Sequence, residues 1–282
     1  MSAIASVASF SARAVALAAL IETDPVRKVR LALALRADLH AGRASIDPAA
    51  DVQPAAGIAL PGRPEKPELI PAQQMPRRNP RDPKGHAALL HAIAHSEFNA
   101  INLALDAVWR FSCLPEDFYR DWIRVAAEEA EHFTLLSEHL QGVGAEYGDF
   151  PAHNGLWDMA EKTRADLLAR MALVPRTLEA RGLDVNPSIR AKLAAAGDAR
   201  GADILDRILT DEIGHVAIGN RWYHWACARA GRTSITAHDE LAAAFGAPRV
   251  KPPFNRDARL KAGFSAEEMD WLERDIALSN SA

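Results

Sequence analysis

Two Glu-x-x-His motifs, Glu129-Ala-Glu-His132 and Glu212-Ile-Gly-His215, restrict the folds open to this 282-residue chain more than any other feature. Each has a lone glutamate upstream at nearly the same distance: Glu97 is 32 residues before Glu129, and Glu179 is 33 residues before Glu212. On a helix, positions i and i+3 share a face with Cβ atoms about 5–6 Å apart, so a carboxylate and an imidazole at that spacing can grip one ion. Four carboxylates and two imidazoles are the ligand inventory for a pair of divalent metals inside a four-helix bundle.

The motif alone is weak, since ten His and seventeen Glu would produce it about 0.6 times by chance. The surroundings decide. Leu90, Ile93, Ala94, Ile101, Ala104 and Val108 recur at helical spacing and put Glu97 where a core leucine is expected. Phe118, Trp122, Val125, Phe133, Leu136 and Leu140 do the same for Glu129 and His132, and Leu205, Ile208, Val216, Gly219 and Ala226 for Glu212 and His215. The stripe leading to Glu179 is less clean, through Leu168, Met171, Ala172 and Pro175. Four ionised carboxylates in one dry core repel, and each loses several kcal/mol of hydration, on the order of the known cost of burying an ion. Two divalent cations cancel that charge. The alternative is protonation or pairing with arginines, but the stripes carry no matching set of cations.

The rest of the composition is that of an ordinary globular chain, with 49% apolar and 25% charged residues and a net charge of −4. Nothing in it points to nucleic acid or an anionic membrane as partner. No run of apolar residues is long enough for a membrane span. The apolar stretch Ala14–Ile21 has no basic residue ahead of Arg13 and is followed by Thr23-Asp24-Pro25, a helix start and not a small-residue cleavage site, so the cytoplasm is the expected compartment. Cys113 and Cys227 offer no disulfide framework and read as structural thiols.

Three segments are expected: 1–84, an N-terminal helical pair and a Pro-rich arm; 85–232, the di-metal bundle; and 233–282, a helical tail. The N-terminal pair covers 8–22 and 25–42, the second helix capped by Asp24 with Pro25 at its first position. Residues 43–84 hold nine of the seventeen prolines and read as an extended connector or an arm wrapped on the body. Bundle helices are expected over 86–112, 115–141, 156–181 (ending at Gly182) and 199–229, with a short helix at 187–196. The connection from Gly142 to Gly155 can extend about 46 Å, against about 39 Å for a 26-residue helix, enough for one long crossover. The tail reads as two short helices split by Pro248–Pro253.

Other residues carry paired readings. Asp211 and Glu128 each precede a ligand glutamate; they are candidates to orient the metal-bound histidines, Asp211 towards His132 and Glu128 towards His215, or they are solvated helix-face acids. Pro175 should bend its helix one turn before Glu179. His91 and His95 point away from the inward direction of Glu97 and read as surface or second-layer packing. Trp222, Tyr223 and Trp225 read as core aromatics. The basic run Met75–Lys84 reads as a solvated arm or a phosphate contact.

The stretch from Leu89 to Gly231 closely resembles the bacterial ferritin-like family called domain of unknown function 455. The matching segments include His91-Ala-Ile-Ala-His-Ser-Glu97, Glu128-Glu-Ala-Glu-His132, Tyr147-Gly-Asp-Phe-Pro151, Leu173–Asp184 and Asp211–Asn220. The resemblance implies an all-α, ferritin-like four-helix bundle with one long crossover. It also implies a di-metal carboxylate site at Glu97, Glu129, His132, Glu179, Glu212 and His215. More distantly, the pattern is similar to the ferritin-like tRNA hydroxylase that oxidises an isopentenyl-adenosine side chain, at the level of fold analogy.

The expectation is a non-haem di-iron oxygenase or oxidase. It would hold two Fe ions, with Mn or a mixed Fe/Mn pair as the other option, since carboxylate and imidazole suit both. An electron donor, an unidentified small-molecule or nucleoside substrate, and a homodimer as an open assembly state complete the expected partners. The alternatives are a ferroxidase or storage protein and a di-manganese enzyme that disproportionates peroxide.

Overall fold

A computed structural model describes residues 9–76 and 79–279, with the backbone alone over 275–279. Arg77 and Arg78 of the basic run, and residue 8 of the first expected helix, lie outside the described residues. The described chain is all-α apart from one two-residue parallel pairing and a single isolated bridge. None of its helices is long and apolar enough to cross a membrane. The chain divides into two compact units, Met1–Met75 with Leu90–His153, and Pro76–Leu89 with Asn154–Ala282.

In the first unit, β1 (Phe10–Ser11) pairs with β2 (Ala44–Ser45) around α1 (Ala12–Ile21) and α2 (Pro25–His40). Asp24 caps α2 as expected, its carboxylate accepting from Arg27 N at 2.8 Å. The long helices α3 (Pro83–Arg110, in this unit from Leu90) and α4 (Glu116–Gly142) follow. Leu90, Ile101, Ala104, Leu105 and Val108 of α3 are buried, as are Phe118, Trp122, Leu136 and Leu140 of α4.

The Pro-rich arm is docked, not free. Buried Lys28 donates to Leu20 O, Gly62 O and Asn102 Oδ1, tying α1, the arm and α3 to one ammonium. A Cβ at Gly62 would stand 1.8 Å from Ile21 O, so only glycine permits this approach. Further along, Ala152 N donates to Glu68 O at 2.9 Å and Ile70 N to Ala152 O at 2.8 Å, bridging the arm to the segment after α4.

The second unit corrects three sequence expectations. The helix expected over 156–181 is broken into α5 (Gly155–Lys162), α6 (Leu167–Leu173), a π-helical turn (Val174–Glu179) and α7 (Ala180–Ala195). It does not end at Gly182, and the separate helix expected at 187–196 is the second half of α7. Pro187 is tolerated inside α7 although it cannot bond the carbonyl of Leu183. Asn255 Nδ2 donates to Leu183 O instead, at 3.2 Å. The break before α6 is held by Thr163, whose hydroxyl donates to Met159 O and accepts from Arg170 Nε at 3.0 Å. Helix α8 (Ala199–Arg229) has the expected bounds, capped by Asp198 accepting from Gly201 N. The tail forms three helices rather than two: α9 (Ser234–Phe245), α10 (Arg256–Lys261) and α11 (Ala266–Ser279).

A core of Ala180, Leu183, Val216, Ala262, Phe264 and Met269 joins α7 and α8 to the tail. Two buried ion pairs run through the same region, Arg259 with Asp184 at 2.8 Å and Arg176 with Glu268 at 2.6 Å. Trp222 and Tyr223 are buried, as expected of core aromatics, while Trp225 is half-buried. Cys227 is buried and Cys113 exposed.

Candidate metal centre

The apolar stripes of α3 and α4 carry three of the six expected ligands to one point. His132 Nδ1 lies 3.3 Å from Glu97 Oε2 and 3.3 Å from Glu129 Oε2. One ligand atom from each residue falls within 4.8 Å of the others, close enough for one ion. All three are buried, His132 fully. Glu129 and His132 meet because i and i+3 share a face of α4. Glu97 arrives from α3.

The electrostatics of this triad are those of a site built around a cation. Burial first, and then the neighbouring Glu129 carboxylate, push Glu97 up to about 8. Burial pulls the His132 imidazole down, but its hydrogen bonds to Glu129 and Glu97 and their charges outweigh that and raise it. The two carboxyl groups favour positive charge at the imidazole between them. A divalent ion on His132 Nδ1 and the two carboxylates would meet the same preference with more positive charge.

The second unit places the other motif on α8, with His215 Nδ1 3.2 Å from Glu212 Oε2. His215 is buried and Glu212 nearly so. Glu179 closes the π-helical turn, half-buried. One turn later, a Cβ at Gly182 would lie 3.6 Å from Glu212 Oε1, so the start of α7 passes beside that carboxylate. The turn has local causes. Pro175 has no N–H for the α-helical bond, Ala180 N donates to Pro175 O, and the Thr177 hydroxyl donates to Ala172 O at 2.7 Å. Wide turns of this kind within helices are frequent at functional sites. The bend expected at Pro175 takes this form.

Asp211 faces Arg207 at 3.7 Å and Glu128 faces Arg124 at 3.0 Å, each pair one turn apart on its own helix. His91 and His95 stand outside the triad, as expected, but both are buried, which removes the surface reading. His91 Nε2 accepts from Gly148 N at 2.9 Å and its ring stacks on Tyr147. Tyr147 also packs against Phe98 and Phe133, the residues that follow Glu97 and His132 in sequence. Nothing in the local pattern around Tyr147 announces this role; its partners are distant in the chain.

A family model described as "Protein of unknown function (DUF455)" matches residues 21–270. The chain is 49% identical over 216 residues to an uncharacterized protein of Haemophilus influenzae, a match covering 74% of this chain and 75% of that protein. No solved structure matches the chain.

Proposed function

The chain belongs to the DUF455 family, and from that premise we propose that it is a ferritin-like di-metal carboxylate protein, an iron-dependent oxygenase or oxidase. The observation that carries this reading is the buried Glu97–Glu129–His132 triad, in which one ligand atom from each residue lies within 4.8 Å of the others. The repetition of the pattern supports a second ion, held by Glu179, Glu212 and His215, since each Glu-x-x-His has its own upstream glutamate. Six such ligands leave coordination positions for a small molecule.

Bound there, a di-iron pair would supply the reduction of dioxygen, with electrons from a separate donor, for hydroxylation or dehydrogenation of an organic substrate. The protein's own part is to hold and shield. Glu97 and Glu129 would neutralise a metal's positive charge inside an apolar shell, and His132 and His215 would each supply one nitrogen to a metal. Phe98 and Phe133, which follow Glu97 and His132 in sequence, pack with Tyr147 into an aromatic cluster that is proposed to limit water in this unit. Asp211 and Glu128 are proposed to orient the ligating imidazoles once metal is bound.

The test is anaerobic loading of the full chain with Fe(II), followed by oxygen, with optical and Mössbauer spectra. The reading expects about two irons per chain and a magnetically coupled pair after oxidation. Uncoupled mononuclear iron, or no bound iron, rejects it. Bound manganese with peroxide disproportionation would move the assignment to the di-manganese alternative.

A further inference from the structure

A small cavity of about 30 Å³ opens in the first unit where the arm crosses α3. Arg63, Pro64, Pro67 and Leu69 line it from the arm; His95, Phe98, Asn99 and Tyr147 line it from below. None of the six candidate metal ligands lines it, so a molecule bound there is held without the metal. Two of its polar residues, His95 and Asn99, are more than nine-tenths buried.

Hydrogen bonds link the polar lining residues. Asn99 Nδ2 donates to His95 O at 3.1 Å and lies 2.9 Å from His95 Nε2, which is also 3.3 Å from His153 O. His95 Nδ1 lies 2.9 Å from the Tyr147 hydroxyl oxygen. In the tautomer that carries its proton on Nδ1, His95 donates to that oxygen and the Tyr147 O–H is left to give to a ligand. Burial raises the Tyr147 phenol above its ordinary range, so this group stays a donor.

The lining carries one cation, Arg63. A guanidinium presents five N–H donors in a fork that matches a carboxylate. The remaining walls, Pro64, Pro67, Phe98 and Leu69, are apolar. The volume is room for about two waters, the size of a carboxylate's two oxygens. Leu69 is 40% exposed and marks the side by which a longer chain would leave.

We propose that this cavity is a recognition site for the carboxylate of a small organic acid with an apolar tail, held by the Arg63 guanidinium and the Tyr147 hydroxyl. The acid's oxygens take the two donors, and its tail lies along Pro64, Pro67 and Leu69.

Isothermal titration of the full chain tests this, using sodium hexanoate, 1-hexanol and inorganic phosphate, on EDTA-stripped and iron-loaded protein. Hexanoate is expected to bind one per chain in both preparations, and hexanol and phosphate much more weakly. Arg63→Ala should weaken hexanoate about tenfold or more, as loss of a charge-assisted pair does. Tyr147→Phe should weaken it about threefold or more, as loss of one hydrogen bond does. If Arg63→Ala does not fold, Tyr147→Phe with Arg63→Lys decides. Absence of hexanoate binding, equal affinity for hexanol or phosphate, or unchanged affinity in the folded variants overturns the proposal. Binding only to iron-loaded protein also overturns it, because the acid would then be ligating metal. Mössbauer detection of a coupled iron pair is independent of every one of these outcomes.

Discussion

Gly219 of α8 lies under the ring of Pro175 in the π-helical turn, so closely that a Cβ at 219 would stand 2.5 Å from Pro175 Cβ. A proline ring cannot rotate out of the way, so the missing side chain at 219 is what lets the turn sit on α8. That turn ends at Glu179. Gly219→Ala should push the turn outward and destabilise the protein by about 1–3 kcal/mol, the usual cost of overpacking. A lowered urea midpoint together with lowered iron content would show that Gly219 positions Glu179; a lowered midpoint at full iron content would show a structural effect alone.

Ligand and neighbour should separate cleanly. Glu129→Ala and His215→Ala are expected to lower bound iron from about two per chain while the helical circular dichroism persists. His91→Ala should keep its iron. Because His91 is fully buried and accepts a backbone hydrogen bond from Gly148, it should nevertheless lose about 1–3 kcal/mol of stability. Elemental analysis paired with chemical denaturation reads both quantities on the same samples; iron loss in His91→Ala would show that the triad has been drawn too narrowly.

Stability should fall on mild acidification. Burial, with the charge of Arg176 adding to it, holds His238 down to about 4, from an ordinary 6.5. The unfolded chain therefore takes up a proton between pH 6.5 and 4 that the folded chain refuses, and unfolding is favoured as pH falls through that window. The contribution is about 3 kcal/mol at most and is complete below pH 4. His238→Gln keeps a partner for the Thr177 hydroxyl, 2.9 Å from Nε2, and removes the titration. Urea midpoints measured at pH 7, 5.5 and 4.5 should slope less steeply in this variant than in wild type, and an identical slope would place the acid sensitivity elsewhere.

The Arg176–Glu268 pair should be costly to break from one side. Burial alone would raise the Glu268 carboxyl, but its hydrogen bond with His224 and the charge of Arg176 outweigh that and hold it below the ordinary carboxylate range. Glu268→Ala leaves the Arg176 guanidinium buried against Tyr223 and Phe264 without its counter-charge. The expected loss is about 3–5 kcal/mol. Glu268→Gln, which still accepts a hydrogen bond, should lose less. Equal losses in the two variants, measured by chemical denaturation, would show that packing and not charge holds the tail helix α11 in place.

Local chemistry in the sequence was enough to locate much of this protein. The bounds of α8 follow from an aspartate cap and an apolar stripe, and α2 from Asp24 and Pro25, because a cap and its helix are neighbours in the chain. The triad was legible for the same reason: Glu129 and His132 are one turn apart, and Glu97 interrupts an apolar stripe where a charge needs a partner. The path from Gly155 to Ala195 was not legible. Gly182 and Pro187 look like helix ends to any local rule, yet α7 runs through both because Asn255, far along the chain, takes the carbonyl that Pro187 cannot. The docking of the arm through Lys28 and Gly62, and the burial of His91 and His95 around Tyr147, likewise depend on partners tens of residues away. Periodicity and capping act within a few turns, so residues could announce which helices they form and which faces turn inward. Which distant groups satisfy a proline's lost bond, a buried lysine or a histidine ring is set only when those faces meet.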